Sequence, residues 1–198
     1  DGNRDAGEDP IGGWEVTVTG PQFPGGATFT TESNPNDLNF GRIILAGIYS
    51  GSYNVTEEDP SGWYVTGLIV DGSGKSPSTT TNVEVMDDSL SSYNDAVVEF
   101  GNRETASVRV TKVVNDQVGN ADRSGWVFTL TGCGILKTAS TGASGVILWE
   151  NLVPCLYTVR EAGANQDGFT TSPSAQQSVR PGPGETAEVT FTNSRLPE

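Results

Sequence analysis

The 198-residue sequence predicts an all-β protein made of two tandem β-sandwich domains, and three observations carry that expectation. Segments of period-2 alternation, such as Val108-Arg109-Val110-Thr111-Lys112-Val113-Val114, have the pattern of strands with one buried face. Twenty-five glycines and 11 prolines, with abundant Thr, Val and Ser, suit short strands joined by tight turns. Three motifs then recur in the same order. Gly13-Trp14-Glu15-Val16-Thr17-Val18-Thr19-Gly20 returns as Gly125-Trp126-Val127-Phe128-Thr129-Leu130-Thr131-Gly132. Tyr53-Asn54-Val55-Thr56-Glu57 returns as Tyr157-Thr158-Val159-Arg160-Glu161, and Phe100-Gly101-Asn102-Arg103 as Phe191-Thr192-Asn193-Ser194. Two copies of one β domain follow, 1–104 and 105–198, with the boundary near Glu104 to Ala106.

Each element can be placed in chain order. The first copy needs strands at Trp14–Thr19, Tyr53–Glu57 and Phe100–Asn102, with its extra length in loops around Ser33 to Asn39 and Val70 to Thr81. In the second copy Lys112 lies in a strand 14 residues before Trp126, whereas the position 14 before Trp14 is zero, so the first copy is expected to lack its N-terminal strand. Lys75 does not replace the lysine of that strand, because Asp71-Gly72-Ser73-Gly74-Lys75-Ser76 reads as turn rather than strand. The second copy is complete, with strands at Val108–Val114, Trp126–Thr131, Tyr157–Glu161 and Ala187–Asn193.

Alternation puts three polar residues on core faces of that copy. Lys112 shares a face with Val108, Val110 and Val114, Glu161 with Tyr157 and Val159, and Asn193 with Val189 and Phe191. Isolated charges in such a core cost several kcal/mol unless paired or neutralised. Burial favours the neutral form of an amine and of a carboxyl, the state in which an amine can attack a carboxamide while the acid moves protons. Two readings of the residues stay open: an ion pair beside a hydrogen-bonded Asn193, or a self-formed bond from Lys112 to Asn193 catalysed by Glu161. In the first copy Glu57 and Asn102 stand at the matching positions, leaving a crosslink to an external lysine as the corresponding expectation.

In combination these motifs resemble the B-type stalk repeats of Gram-positive collagen adhesins and pilins, and the related Sdr-type B repeats. The residues that carry the resemblance are Val110-Thr111-Lys112-Val113-Val114-Asn115-Asp116, the Tyr-x-Val-x-Glu strand ending at Glu161, and the Phe-x-Asn ending at Asn193. The resemblance covers nearly the whole chain and implies a prealbumin-like (Ig-like) β-sandwich in each copy and a Lys112–Asn193 isopeptide bond. Asp1-Gly2-Asn3-Arg4-Asp5-Ala6-Gly7-Glu8 is similar to the end of the calcium loop that opens Sdr-type repeats. Asp1, Asn3, Asp5 and Glu8 would then take positions 5, 7, 9 and 12 of an EF-hand-like loop, with Gly2 at the sharp turn. A second register uses Asp1, Asn3 and Asp5 as positions 1, 3 and 5, and a plain acidic terminus is the third reading.

Charge and residue usage narrow the function. The net charge of −14 sits almost wholly in residues 1–104, which hold 17 acids against 4 bases. Such acidity repels nucleic acid and anionic membranes and suits solubility and cation binding. There is no histidine, which removes the usual general base, most catalytic triads and most zinc sites, so no enzyme is expected beyond the autocatalytic crosslink. Gly72-Ser73-Gly74-Lys75-Ser76 lacks the first glycine of a phosphate loop. Asn54-Val55-Thr56 is a glycosylation sequon of low specificity. Trp14 and Trp126 read as core at matched positions, leaving Trp63 and Trp149 as candidates for stacking on sugar.

Cys133 and Cys155 lie at strand ends beside one core. An even count in an exported chain invites a disulfide, worth roughly 3 kcal/mol for a loop of about two dozen residues. The alternative is two buried thiols. No apolar run reaches a membrane span and no signal-peptide pattern is present, so a mature, soluble, extracellular fragment is expected. The sequence therefore points to a stalk or fibre module of a cell-surface protein. Its expected partners are neighbouring domains or subunits, with no required cofactor apart from calcium at the acidic start. The alternatives are an adhesin module for glycan or matrix protein, and a fibre subunit assembled by donor-strand exchange.

Overall fold

The computed structural model describes residues 9–58, 61–75, 77–86, 95–115, 122–162 and 168–196. The chain divides into two compact units, Asp1–Arg103 and Glu104–Glu198. Among the described residues every regular element is a strand, so the all-β expectation holds.

Unit 2 is a closed case of two four-stranded sheets. Strands β8 (Ala106–Asn115), β11 (Val146–Leu152), β13 (Phe169–Ser172) and β15 (Thr186–Arg195) form one sheet, in the order β11-β8-β15-β13. Strands β9 (Val127–Gly132), β10 (Ile135–Ser140), β12 (Tyr157–Glu161) and β14 (Gln176–Val179) form the other, in the order β10-β9-β12-β14. The first and last strands, β8 and β15, run parallel over nine paired positions, with Phe191 opposite Lys112 and Asn193 opposite Val114. All other pairings in this unit are antiparallel. Alternation is what buries the core: Val108, Val110 and Phe191 from one sheet meet Phe128, Leu130 and Val159 from the other, and all six are sealed from solvent. The Phe128 and Phe191 rings join the layers at 5.0 Å. Fully burying side chains of this kind contributes about 1.5–3 kcal/mol each.

The β9–β10 hairpin closes through Cys133 and Gly134, with φ of 45° and 75°. Two consecutive left-handed residues match the twist of the flanking strands, and glycine at the second position carries that conformation without steric cost. Cys133 is bonded to Cys155, which leads into β12, across a Cα–Cα distance of 6.5 Å. The disulfide read from the cysteine count is therefore present.

Unit 1 repeats one sheet fully and the other in part. Strands β1 (Glu15–Thr19), β2 (Ala27–Thr30), β3 (Gly51–Glu57) and β6 (Thr80–Val85) take the order β2-β1-β3-β6, matching β10-β9-β12-β14. Among the described residues the facing sheet has β4 (Trp63–Val70), β5 (Ser73–Lys75) and β7 (Val98–Glu104), in the order β5-β4-β7. Among the described residues no strand of unit 1 corresponds to β8; residues 1–8 lie outside them. One sequence expectation needs correction. The Val70–Thr81 stretch is not simply a loop, because Ser73–Lys75 forms β5 against β4, with Lys75 opposite Leu68. Its backbone finds partners on β4 despite the glycines. That strand lies on the far side of β4 from β7, so Lys75 still does not fill the place of the lysine strand.

Matched local bonds tie the copies together. Tyr53 donates to the Tyr49 carbonyl and Tyr157 to the Val153 carbonyl, at 2.8 and 2.7 Å. The backbone N–H groups of Trp14 and Trp126 donate to Thr31 Oγ1 and Thr141 Oγ1.

Candidate crosslinking site

The core of unit 2 encloses Lys112, Glu161 and Asn193, each with side chain sealed from water: their relative exposures are 0%, 1% and 0%. Lys112 is the seventh residue of β8, on the inward face with Val108, Val110 and Val114. Glu161 ends β12 in the opposite sheet, on the inward face with Tyr157 and Val159. Asn193 lies on β15 beside β8, one inward position beyond Phe191, which puts it diagonally across the strand pair from Lys112.

The acid is held from two sides. Lys112 Nζ donates to Glu161 Oε1 at 2.7 Å, and Thr171 Oγ1 donates to Glu161 Oε2 at 3.0 Å. Thr171 is itself the cross-strand partner of Asn193, so β13 and β15 deliver the hydroxyl and the amide to the same carboxyl neighbourhood. The Lys112 ammonium also stands 3.9 Å from the centroid of the Trp126 ring. That ring is fixed by an edge-on Phe169 at 5.4 Å and by its Nε1–H donating to the Asp122 carbonyl at 3.1 Å.

Burial pushes the Lys112 pKa below its ordinary value, while the hydrogen bond and the charge of Glu161 pull the other way. Net lowering enlarges the fraction of neutral, nucleophilic amine. Asn193 supplies the anomaly of the site. Its Nδ2 and Oδ1 are both buried, with no hydrogen-bond partner among the described residues. A buried amide left in that state costs about 1–3 kcal/mol for each unmet group.

Sequence reasoning missed two supporting groups. Thr171 is one Thr among many on a strand, and Trp126 was legible as a core residue but not as the ring beneath Lys112. Trp149 is a correction: it is buried in the core of unit 2 and offers no face to a sugar, because its strand turns it inward opposite Val108. Trp63 is half-buried and stacks edge-on against Trp14 at 5.2 Å, in the manner of Phe169 on Trp126. Asn54 sits mid-strand in β3, donating to Thr80 and Asn82.

The matching place in unit 1 holds Glu57, buried at the end of β3, and Asn102 on β7, whose Nδ2 donates to Glu57 Oε1 at 2.5 Å. Thus an acid and an amide are in contact there. The calcium candidates Asp1, Asn3, Asp5 and Glu8 lie outside the described residues. Among the described residues no cluster of three acids or thiols is arranged to hold a metal.

Fold and site together define a tandem β-sandwich with a disulfide and a buried Lys-Glu-Asn group in its second unit. No protein-family model matches the chain, and no curated protein does. Pilins are among the similar solved structures. A minor pilin of Streptococcus agalactiae is 17% identical, with 96% of this chain and 85% of that one covered and a TM-score of 0.40. The shaft pilin of Lactobacillus rhamnosus GG is 12% identical over 97% and 91%, with a TM-score of 0.40. The major pilin subunit of Bacillus cereus is 12% identical over 94% and 95%, with a TM-score of 0.38.

Proposed function

We propose that the protein is an extracellular, load-bearing stalk or fibre module whose second unit is closed by a self-formed bond between Lys112 and Asn193. The observation that carries this reading is the buried Asn193 amide, unpaired among the described residues, diagonal to a buried lysine whose amine is hydrogen-bonded to a buried acid. In the reaction Lys112 Nζ attacks Asn193 Cγ, the Nζ–Cγ bond forms, and the Cγ–Nδ2 bond breaks. Glu161 takes the proton shed by Nζ and delivers it to Nδ2, which leaves as ammonia. Thr171 holds the second carboxyl oxygen in place. Atoms balance without any oxidant or cofactor.

The bond would join the first and last strands of unit 2, which already pair in parallel. Tension entering near β8 and leaving near β15 would cross a covalent link instead of a shearing row of hydrogen bonds. The roughly 81 residues between Lys112 and Asn193 could then not be drawn out, which withholds about 270–290 Å of extension. A surface stalk benefits from that property. Partners on this reading are adjacent domains or subunits, and no catalytic turnover is involved.

Two measurements test it. Intact mass should fall about 17 Da below the sequence mass through loss of ammonia, with Lys112 and Asn193 recovered in one branched peptide. Pulling single chains should give no extension step from unit 2 until Asn193 or Glu161 is replaced. Full sequence mass, with both residues on separate peptides, ends the proposal. Calcium binding by Asp1, Asn3, Asp5 and Glu8 is a separate proposal: titration should show tight binding only after upstream residues complete the loop.

A further inference from the structure

The two units differ beside β2. Thr31 Oγ1 and Thr141 Oγ1 accept the same backbone bond from their tryptophans, and each threonine is followed by a left-handed glycine, Gly41 with φ of 70° and Gly145 with φ of 73°. Gly41 follows ten residues after its threonine and Gly145 four after its own, so unit 1 carries an insertion at the edge of its sheet. The inserted loop is held by its own side chains: Glu32 Oε1 accepts from the Asn34 N–H and Asp37 Oδ1 from the Asn39 N–H, both at 2.8 Å. Together with Arg42–Leu45 it walls a groove of about 390 Å³ beside Phe29 and Thr30 of β2. Phe29, Ile43 and Leu45 are half-buried and form an apolar floor, with the Phe29 ring braced edge-on by Phe23 at 5.4 Å. Unit 2 has Ala139, Val146 and Trp149 where unit 1 has Phe29, Arg42 and Leu45.

We infer that this groove binds an extended peptide segment of a partner protein, added as a strand along the open edge of β2, with aliphatic side chains on the floor and one carboxylate on Arg42. Strand β2 is paired on one side, by β1. On its other side the Glu32 N–H donates to the Arg42 carbonyl at 3.0 Å and the Gly41 N–H to the Glu32 carbonyl at 2.9 Å, which closes one end of the groove. Beyond that tie no backbone hydrogen bond joins Ala27–Thr30 to Arg42–Leu45 among the described residues. Arg42 is exposed at the rim. The ion pairs among the described residues are Arg109–Glu188 and Lys112–Glu161, so the Arg42 guanidinium has none, although residues 1–104 hold 17 acids. Glu32 and Asp37, the acids nearest to it in sequence, each commit an oxygen to their own loop.

Shape and charge select the occupant. An open groove running along a strand edge offers main-chain bonds on one side and a floor for alternate side chains on the other, which is what an added strand uses. Phe29, Ile43 and Leu45 call for aliphatic residues on that floor, and a strand laid there also shields Ile44, which is 65% exposed. The planar guanidinium of Arg42 pairs best with a carboxylate, through two parallel N–H donors. A single acid among neutral residues is the limit, because 17 acids against 4 bases in residues 1–104 repel an anionic chain. The same field opposes a polyanionic sugar, and a second copy would bring its own net charge of −14 to the contact. Binding at this edge goes beyond the crosslink of unit 2 and owes nothing to it.

The test follows backbone amide resonances of the isotope-labelled full chain during titration with end-blocked hexapeptides of the form Thr-Val-X-Val-Thr-Val, X being Glu or Gln. Resonances of Ala27–Thr30 and Arg42–Leu45 should shift saturably with both. The Glu peptide should bind about fivefold more tightly than the Gln peptide, the margin expected of an exposed ion pair. Arg42→Gln should level the two peptides and leave the affinity for the Gln peptide unchanged. Methylating the peptide nitrogens at odd or at even positions should abolish binding in one case only, since a strand turns alternate N–H groups toward its neighbour. Absence of saturable shifts, or shifts centred elsewhere, overturns the inference. Equal affinity of the Glu and Gln peptides for the unaltered chain overturns the carboxylate on Arg42, and equal effects of the two methylation patterns overturn strand addition. Shifts of the same resonances with a hexuronic acid disaccharide but with neither peptide reassign the groove to sugar, and shifts on raising the protein concentration alone reassign it to a second copy.

Discussion

Replacing Asn193 by leucine separates a crosslinked core from an ordinary one by the sign of the effect. In the absence of a bond, Asn193 is a buried amide with no hydrogen-bond partner among the described residues. A near-isosteric apolar residue then removes a penalty of about 1–3 kcal/mol for each of the two unmet groups and leaves the Lys112–Glu161 pair intact. Unit 2 should become slightly more stable. With the bond present, the same change reopens a loop of about 81 residues, whose closure is worth about 4.5 kcal/mol in chain entropy. The disulfide loop nested inside it shortens the effective loop only modestly, and the logarithmic dependence keeps the figure near 4 kcal/mol. For a domain of this size that is about a 16–35 °C fall in melting temperature. Calorimetry of the full chain reads it directly, because the transition that moves with reductant is that of unit 2, the home of both cysteines. A melting temperature that stays or rises in Asn193→Leu would refute the crosslink and the load-bearing role built on it.

Three further outcomes follow from the same geometry. Reducing the Cys133–Cys155 bond should cost unit 2 about 3 kcal/mol without altering its mass deficit, so calorimetry with reductant should show a lower but still cooperative transition. Thr171→Val removes the bond to Glu161 Oε2 and should slow crosslinking about tenfold, visible as a lingering population at full sequence mass soon after synthesis. In Asn193→Leu the Lys112 amine stays titratable with its folded pKa below the 10.5 of the unfolded chain. Between those two values the unfolded state binds more protons, so the urea midpoint should climb as the pH is raised toward 10.5, a slope absent from the crosslinked protein.

The site was unusually legible because each of its three polar residues is anchored by apolar neighbours two positions away. Val110 and Val114 fix the face of Lys112, Val159 that of Glu161, and Phe191 that of Asn193, and period 2 leaves no freedom once those are inward. What alternation cannot give is the partner across a sheet or a sandwich. Thr171 meets Glu161 only because β13 pairs with β15 in a register that sets it opposite Asn193, and Trp126 meets Lys112 only because the two sheets face each other. Neither fact is local. Trp149 failed for a related reason: an aromatic flanked by Leu148 and Glu150 can face either way, and its pairing with Val108 decides the matter.

Unit 1 shows the converse, a segment whose sequence is right for a strand but whose surroundings are not. Ile43 and Leu45 pack against the core as Ile147 and Trp149 do, so side-chain alternation has been kept. Strand pairing like that of β11 with β8 is not seen there among the described residues; the Glu32 N–H donates instead to the Arg42 carbonyl. Among the described residues the facing sheet of unit 1 accordingly holds β5, β4 and β7, and Val98, Phe100 and Asn102 on β7 are half-buried. The buried acid Glu57 accepts a hydrogen bond from Asn102 Nδ2, which offsets part of the cost of burying a carboxyl. The acid and amide positions are thus kept in both units by alternation, Glu57 ending β3 as Glu161 ends β12 and Asn102 on β7 as Asn193 on β15, while the pairing around them differs.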